Sequence, residues 1–425
     1  MWREPCPSQW SEPRELLLLG QESEGGTLQI RSEQTSRERV PGTRFRVAVV
    51  LGTRPEAIKM APVVRALARR ADRFEPVIIA TSQQREMLAQ AMLAMELPLD
   101  IDLGLTHTNR TLAEFTAHAL LSLTQCFADI LPDLLLVQGD TSTVVSAALA
   151  AFYQGIPIGH VEAGLRSGDM HRPFPEEANR RIASVATDLH FAPTELAREN
   201  LLREGIPRGD VHVTGNTVVD ALTSIPPRLH FDEPGLADVP WSDRRVLLVT
   251  VHRRENLGDR LHDLCNAFKT LLATHPDIEI VFPVHLNPRV REVVFAELAD
   301  QPRVRLFDPI SYPDLLEVMR RCYLILSDSG GIQEEAPVLR KPILILRTVT
   351  ERPEVVKAGF GRLVGTDPAE VVAVTSTLLG DHGIYQAMVS GTNPFGDGHA
   401  ADRILDIIEA RYGIMTGAPL AAVGT

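Results

Sequence analysis

Ser327-Asp328-Ser329-Gly330-Gly331-Ile332-Gln333-Glu334-Glu335 decides how this chain is read. It follows the apolar run Tyr323-Leu324-Ile325-Leu326 and leads into a helical pattern ending near Arg340. A strand that stops at a Ser/Gly turn and opens a helix aims unpaired backbone N–H groups at one point. The helix dipole adds partial positive charge there, so the turn suits a phosphate, although Ser-Gly-Gly turns also end ordinary strands. Glu335 lies one helical turn further on, where a carboxylate can accept hydrogen bonds from a ribose.

Far upstream, Arg46-Val47-Ala48-Val49-Val50-Leu51 reads as a buried parallel strand that runs into Gly52-Thr53-Arg54-Pro55-Glu56 and a helix through about Arg70. Pro55 fits a first helical turn, where its missing N–H costs nothing. Arg54 therefore sits on a strand-to-helix turn, the place where open parallel sheets bind ligands. From Phe45 onward, apolar runs alternate with helical patterns. Strands are expected at 46–51, 76–80, 133–137, 156–161, 188–192, 211–214, 246–251, 278–284, 303–307, 322–327 and 342–346. Helices fill most gaps between them, the signature of βα units in parallel sheets.

Pro226, Pro227, Pro234 and Pro240 interrupt that alternation at 225–243, after which it restarts. At 425 residues the chain exceeds one typical core. The expected fold is α/β, with two Rossmann-like doubly wound domains facing a cleft, at 45–215 and 216–395. Residues 1–44 are rich in Glu, Ser, Arg, Gly and Pro without a sustained period, and they read as a disordered extension or, alternatively, as the product of a misassigned start codon.

A formal net charge of −12 argues against a nucleic-acid binder while leaving room for a local basic site. Cys6, Cys126, Cys265 and Cys322 lack metal or disulfide spacing, which fits a reducing cytoplasm. No apolar stretch approaches membrane-spanning length, and Leu16 to Leu19 is too short for a signal-peptide core. No His or Cys cluster has metal-ligand spacing, and no Gly-x-Gly-x-x-Gly follows the first strand. Neither a catalytic metal nor a tightly held nicotinamide is expected, and no cofactor is called for.

Polar clusters gather where the strands end. Leu134-Leu135-Leu136-Val137 runs into Gln138-Gly139-Asp140-Thr141-Ser142, where Asp140 reads equally as a helix cap or as a site carboxylate. Glu162 follows the next strand. Pro175 then opens a helix carrying Glu176 and Glu177 in its first turn, a placement the dipole favours without any chemistry. Three acidic sets at strand ends of one domain point to acid/base work more than three separate caps do. In the second half, His252-Arg253-Arg254-Glu255-Asn256 forms a cationic cluster suited to a diphosphate. His285 ends the following strand, where a lone His is more often structural than catalytic.

With those residues in hand, the chain closely resembles the non-hydrolysing UDP-N-acetylglucosamine 2-epimerases over about residues 45 to 410. The resemblance rests on Gly-Thr-Arg-Pro-Glu-Ala-Ile-Lys-Met-Ala-Pro (52–62), Gly-Asp-Thr (139–141), His-Val-Glu-Ala-Gly-Leu-Arg (160–166) and Pro-Glu-Glu-Ala-Asn-Arg (175–180). It continues through Thr-Gly-Asn-Thr (214–217), His-Arg-Arg-Glu-Asn (252–256) and Ser-Asp-Ser-Gly-Gly-Ile-Gln-Glu-Glu-Ala-Pro (327–337). His171-Arg172 departs from the Tyr-Ser frequent in the family.

The resemblance implies the B-type glycosyltransferase architecture, with UDP in the cleft and residues 396–425 supplying a helix that returns to the first domain. It implies epimerisation at carbon 2 of UDP-N-acetylglucosamine through loss of UDP, a 2-acetamidoglucal, and return of UDP. Arg54, His252 and the Ser329-Gly330-Gly331 turn would stabilise the diphosphate, and Glu335 the ribose. Asp140, Glu162 and Glu176 would move protons, and Lys59 matches a family lysine near the sugar or phosphate, or else a solvated residue of the first helix. Gln83, Arg253 and His285 match positions for a second, activating UDP-N-acetylglucosamine, and a homodimer is the family expectation. A hydrolysing epimerase, a glycosyltransferase and a UDP-sugar-binding regulator are the competing readings.

Overall fold

The computed structural model describes residues 43–106 and 110–414. Apart from Thr43 and Arg44, the N-terminal extension lies outside the described residues. The first sheet contains β1 (Phe45–Leu51), β2 (Phe74–Ala80), β3 (Ile101–Asp102), β4 (Leu134–Gln138), β5 (Ile158–Val161), β6 (Leu189–Ala192) and β7 (Val211–Val213). Their order is β3-β2-β1-β4-β5-β6-β7, parallel throughout. The second sheet contains β8 (Arg245–Thr250), β9 (Ile278–Pro283), β10 (Val304–Phe307), β11 (Leu324–Ser327), β12 (Ile343–Ile345) and β13 (Gly361–Leu363). It runs β10-β9-β8-β11-β12-β13, again all parallel. Helices cover both faces of each sheet, which is why the central strands are near-continuous apolar runs rather than alternating ones.

β3 and β13 are absent from the strands expected from sequence. Both are sheet edges of two or three residues, Ile101-Asp102 and Gly361-Arg362-Leu363, without an apolar run to mark them. They are strands because a neighbour pairs with them, and local sequence does not carry that signal.

Strand order reverses between β1 and β4 in the first sheet and between β8 and β11 in the second. At such a point the two following helices leave on opposite faces and open a crevice at the carboxyl ends of the strands. Among the described residues there are two of these crevices. The helices that begin there start at Arg54, Ser142 and Gly330.

The helix Thr217–Ser224 joins the halves. It packs on both Arg54–Arg69 and Gly330–Val338, one helix from each crevice. Val47, Leu67, Val218, Leu222, Ile345 and Ile404 consequently belong to one continuous buried cluster. The helix Ala400–Tyr412 also lies on Arg54–Arg69. Its first turn is held by Asp220, whose carboxylate accepts from the Ala400 and Ala401 amides at 3.2 and 2.9 Å. Its far end is held by Glu409, which pairs with Arg70 at 2.9 Å and Arg73 at 2.6 Å. Among the described residues no helix is long and apolar enough to cross a membrane.

Candidate active site

The two crevices share one cavity of about 440 Å3. The first half contributes Arg54, Lys59, Asp140, Glu162 and Glu176 to its wall, and the second contributes His252, Arg253, His285, Ser329, Gly330, Gly331 and Glu335. Of the residues singled out from sequence, Gln83 alone stays off this wall. Its amide oxygen accepts from Thr143 Oγ1 at 2.9 Å, and the neighbouring Gln84 lines the cavity instead.

Glu56 organises the first-sheet side. Its carboxylate accepts from the Gly52 and Thr53 amides at 2.5 and 3.0 Å and from Thr141 Oγ1 at 2.5 Å, tying the loop after β1 to the loop after β4. Burial pushes its pKa up to about 7, against the pull of those donors. The sequence reading passed over this residue. The Thr53-x-x-Glu56 spacing of a capping box was the available signal.

Asp140 is not the cap of the helix it precedes. Thr141 has that position and accepts from the Val144 amide at 3.4 Å. The Asp140 side chain instead meets the buried Arg180, whose Nε lies 3.2 Å from Oδ2 and whose second terminal nitrogen also donates there. Arg180 is steadied by Glu177 at 2.8 Å, and Glu177 takes the Ser167 amide at 3.0 Å. The two first-turn carboxylates therefore divide: Glu177 turns inward to Arg180, while Glu176 faces the cavity with Oε2 lacking a hydrogen-bond partner. Burial raises the Glu176 pKa and the Asp140 charge adds to it. Behind them, His160 Nε2 donates to the Gly139 carbonyl at 2.7 Å, and burial pushes that histidine down to about 4, so the ring is neutral with its proton on Nε2.

Glu162 follows β5 with φ 64, a left-handed backbone that a side chain rarely adopts. That turn carries its carboxylate inward, where Gln138 Nε2 donates to Oε2 at 2.9 Å and Lys59 Nζ donates to the same oxygen. Lys59 is also 2.7 Å from Glu334 Oε2, and Arg352 Nε donates to Glu334 Oε1 at 2.5 Å. Lys59 is thus buried between two carboxylates rather than solvated on its helix. Burial works against its charge, but Glu162 and Glu334 outweigh it and raise its pKa. Glu162 is itself raised, by burial and by the charge of Glu334.

On the opposite wall, buried Asp328 follows β11 and gathers the loop after β8. It accepts from the His252 amide at 3.0 Å, the Arg253 amide at 2.9 Å and Asn256 Nδ2 at 2.9 Å, with His252 Nδ1 3.0 Å away. Burial alone would raise Asp328; the His252 contact and the two amides outweigh it and hold the group low. His252 stacks on His285 with ring centroids 5.9 Å apart. The helix Gly330–Val338 opens with no acidic residue in its first turn and no side-chain cap, so its N-terminal amides remain available to an anion. A Cβ on Gly330 would stand 2.7 Å from Arg352 Nη1, so this residue must be glycine for the guanidinium to lie where it does. Glu335, one turn along, takes a 3.1 Å hydrogen bond from the Tyr312 hydroxyl, and burial raises its pKa.

Arg180, Tyr312, Asp328, Glu334 and Arg352 were not singled out from sequence. Glu334 and Asp328 stood inside the deciding motif, but Glu334 reaches Lys59, 275 residues away in the chain, and Asp328 reaches His252, 76 residues away, and no local spacing reveals such partners.

A sequence profile of the family described as UDP-N-acetylglucosamine 2-epimerase matches residues 65–409. The chain is 46% identical over 371 residues to the UDP-N-acetylglucosamine 2-epimerase of Escherichia coli strain K12, covering 86% of this chain and 98% of that one. Among solved structures, the UDP-GlcNAc 2-epimerase from Neisseria meningitidis bound to UDP-GlcNAc superposes with a TM-score of 0.80 at 41% identity, over 86% of this chain and 100% of that one. The Methanocaldococcus jannaschii UDP-GlcNAc 2-epimerase in complex with UDP-GlcNAc and UDP gives 0.73 at 32% identity, with the same coverage. The two doubly wound sheets facing a cleft, the B-type glycosyltransferase architecture expected from sequence, are what these structures share with the chain.

Proposed function

The chain belongs to the UDP-N-acetylglucosamine 2-epimerase family, and on that premise we propose that it interconverts UDP-N-acetylglucosamine and UDP-N-acetylmannosamine without releasing free sugar. The observation that carries this reading is the opposition across one cavity. Three carboxylates, Asp140, Glu162 and Glu176, stand on the first-sheet side, and an uncapped helix N-terminus with His252 beside it stands on the other.

The hydrogen on carbon 2 is too weakly acidic for direct removal by a carboxylate. When the anomeric carbon–oxygen bond breaks first, its electron pair leaves on UDP and carbon 1 gains oxocarbenium character. The proton on carbon 2 then passes to a carboxylate and a carbon 1–carbon 2 double bond forms. Delivery of a proton to the opposite face of carbon 2, with attack of UDP on carbon 1, yields the epimer. Arg54, His252 and the Ser329-Gly330-Gly331 amides would hold the charge developing on the diphosphate, with Glu335 and the Tyr312 hydroxyl bonded to it beside the ribose. Asp140 pairs with Arg180, and Glu176, whose Oε2 lacks a hydrogen-bond partner and whose pKa burial raises, would be the carboxylate that gives up its proton less readily than an ordinary one. Arg253 and His285 stand beside His252 on the same wall, and with Gln83 they are our candidates for an activating second nucleotide sugar.

Proton NMR of the purified protein with UDP-N-acetylglucosamine in deuterated water tests the reading. UDP-N-acetylmannosamine carrying deuterium at carbon 2 of both epimers supports elimination and re-addition. Free N-acetylmannosamine accumulating with UDP would place the chain among hydrolysing enzymes.

A further inference from the structure

Glu334 is fully buried on the helix that carries the phosphate-type turn, yet it holds two cations of the cavity wall. Its Oε1 accepts from Arg352 Nε at 2.5 Å and its Oε2 lies 2.7 Å from Lys59 Nζ. The same Lys59 donates to Glu162, and an Arg352 terminal nitrogen lies 3.9 Å from Glu162 Oε1. Glu162 therefore faces two cations that Glu334 also holds. Lys59 and Glu162 follow β1 and β5 of the first sheet, whereas Glu334 and Arg352 follow β11 and β12 of the second. The ring of four closes only across the cleft.

We propose that Glu334 is a positioning residue for Glu162, holding Lys59 and Arg352 from the second sheet and so setting how tightly Glu162 keeps its proton. This rests on the reading of Glu162 as an acid/base group. The charged groups that face Glu162 are Lys59 from Arg54–Arg69, Glu334 from Gly330–Val338 and Arg352 from the turn before Pro353; Gln138 at the end of β4 is a neutral donor. The ring sets two carboxylates against two cations, with Glu351 a further 3.7 Å from Arg352, and burial denies it a replacement charge from solvent. Glu334 acts on Glu162 in two ways. Its own charge repels the ionised form, and its grip shares out the cations that would otherwise favour that form. Removing its charge ends the repulsion and frees Lys59 and Arg352 toward Glu162, so both effects loosen the Glu162 proton.

The test compares full-length wild type with Glu334→Gln and Glu334→Asp. The readouts are pH profiles of kcat and kcat/KM on UDP-N-acetylglucosamine, UDP affinity by calorimetry, and an infrared titration of the Glu162 carboxyl, identified by the band lost in Glu162→Gln. In Glu334→Gln, kcat at the wild-type optimum falls at least about tenfold and UDP affinity changes less than about threefold. The limb belonging to Glu162 moves to lower pH by about one unit or more. Glu334→Asp keeps the charge but shortens the reach, and gives a smaller shift in the same direction. A profile lowered in height but unmoved in pH, with an unmoved Glu162 titration, overturns the proposal and leaves Glu334 a structural residue. Should Glu334→Gln fail to fold, an unmoved titration in Glu334→Asp overturns it as well. A wild type inactive on UDP-N-acetylglucosamine refutes the epimerase reading separately, since the infrared titration still decides what Glu334 does.

Discussion

Thr141 Oγ1 donates to Glu56 Oε1 at 2.5 Å, so the loop that carries Asp140 and the helix that begins at Arg54 are fastened to each other rather than separately to the sheet. The bond spans the point where strand order reverses between β1 and β4. A crevice formed there has walls of fixed spacing, which groups acting together on one ligand require.

Glu56 makes stability depend on pH. Its folded pKa of about 7 lies above the ordinary 4.5, so the folded chain binds its proton more tightly than the unfolded chain does. The contribution is fully present below pH 4.5 and is lost as pH rises through about 7. Glu56→Gln should remove that slope. Melting temperatures of the two proteins between pH 4.5 and 8 check it; parallel curves would show that Glu56 is already ionised when buried.

Asp140→Asn removes the anion facing Arg180 while Glu177 still pairs with that guanidinium. Turnover should fall by about 10²-fold to 10⁴-fold, the range for a lost acid/base group. UDP affinity should stay within about tenfold, because proton transfer adds little to ground-state binding. An equal loss of affinity by calorimetry would make Asp140 a binding residue.

Arg54→Ala should weaken UDP binding and turnover together, by about 1.5–3 kcal/mol in each, as for a hydrogen bond to a charged group. UDP affinity at the wild-type level would remove Arg54 from the diphosphate site.

The two glycines of the turn should behave differently. At Gly330 a Cβ would stand 2.7 and 2.9 Å from Arg352 Nη1 and Cζ, and Arg352 is pinned by Glu334, so Gly330→Ala should cost about 1–3 kcal/mol of stability. At Gly331 a Cβ meets nothing closer than Ser329 Oγ at 3.9 Å. Gly331→Ala should keep or raise the melting temperature, since alanine suits a helix better. If the turn holds a phosphate, the same variant should lose UDP affinity, because only the ligand would feel the added methyl.

The βα alternation was legible in the sequence alone, and so were the strand ends at which Arg54, Asp140, Glu162, His252 and Ser329 stand. Those features are local: a buried parallel strand is a continuous apolar run, and a strand-to-helix turn needs its Gly, Pro or cap within a few residues. The edge strands β3 and β13 were not legible, since pairing and not composition defines them. Nor was the partnership of the charges. Glu176 and Glu177 are identical side chains one position apart, and only helix phase sends one to the cavity and the other to Arg180. Lys59 read as either a site residue or a solvated one, and tertiary structure buried it between Glu162 and Glu334. Which carboxylate keeps a proton depends on burial and on charges brought from the other sheet, and those distances exist only once both sheets have folded around one cleft.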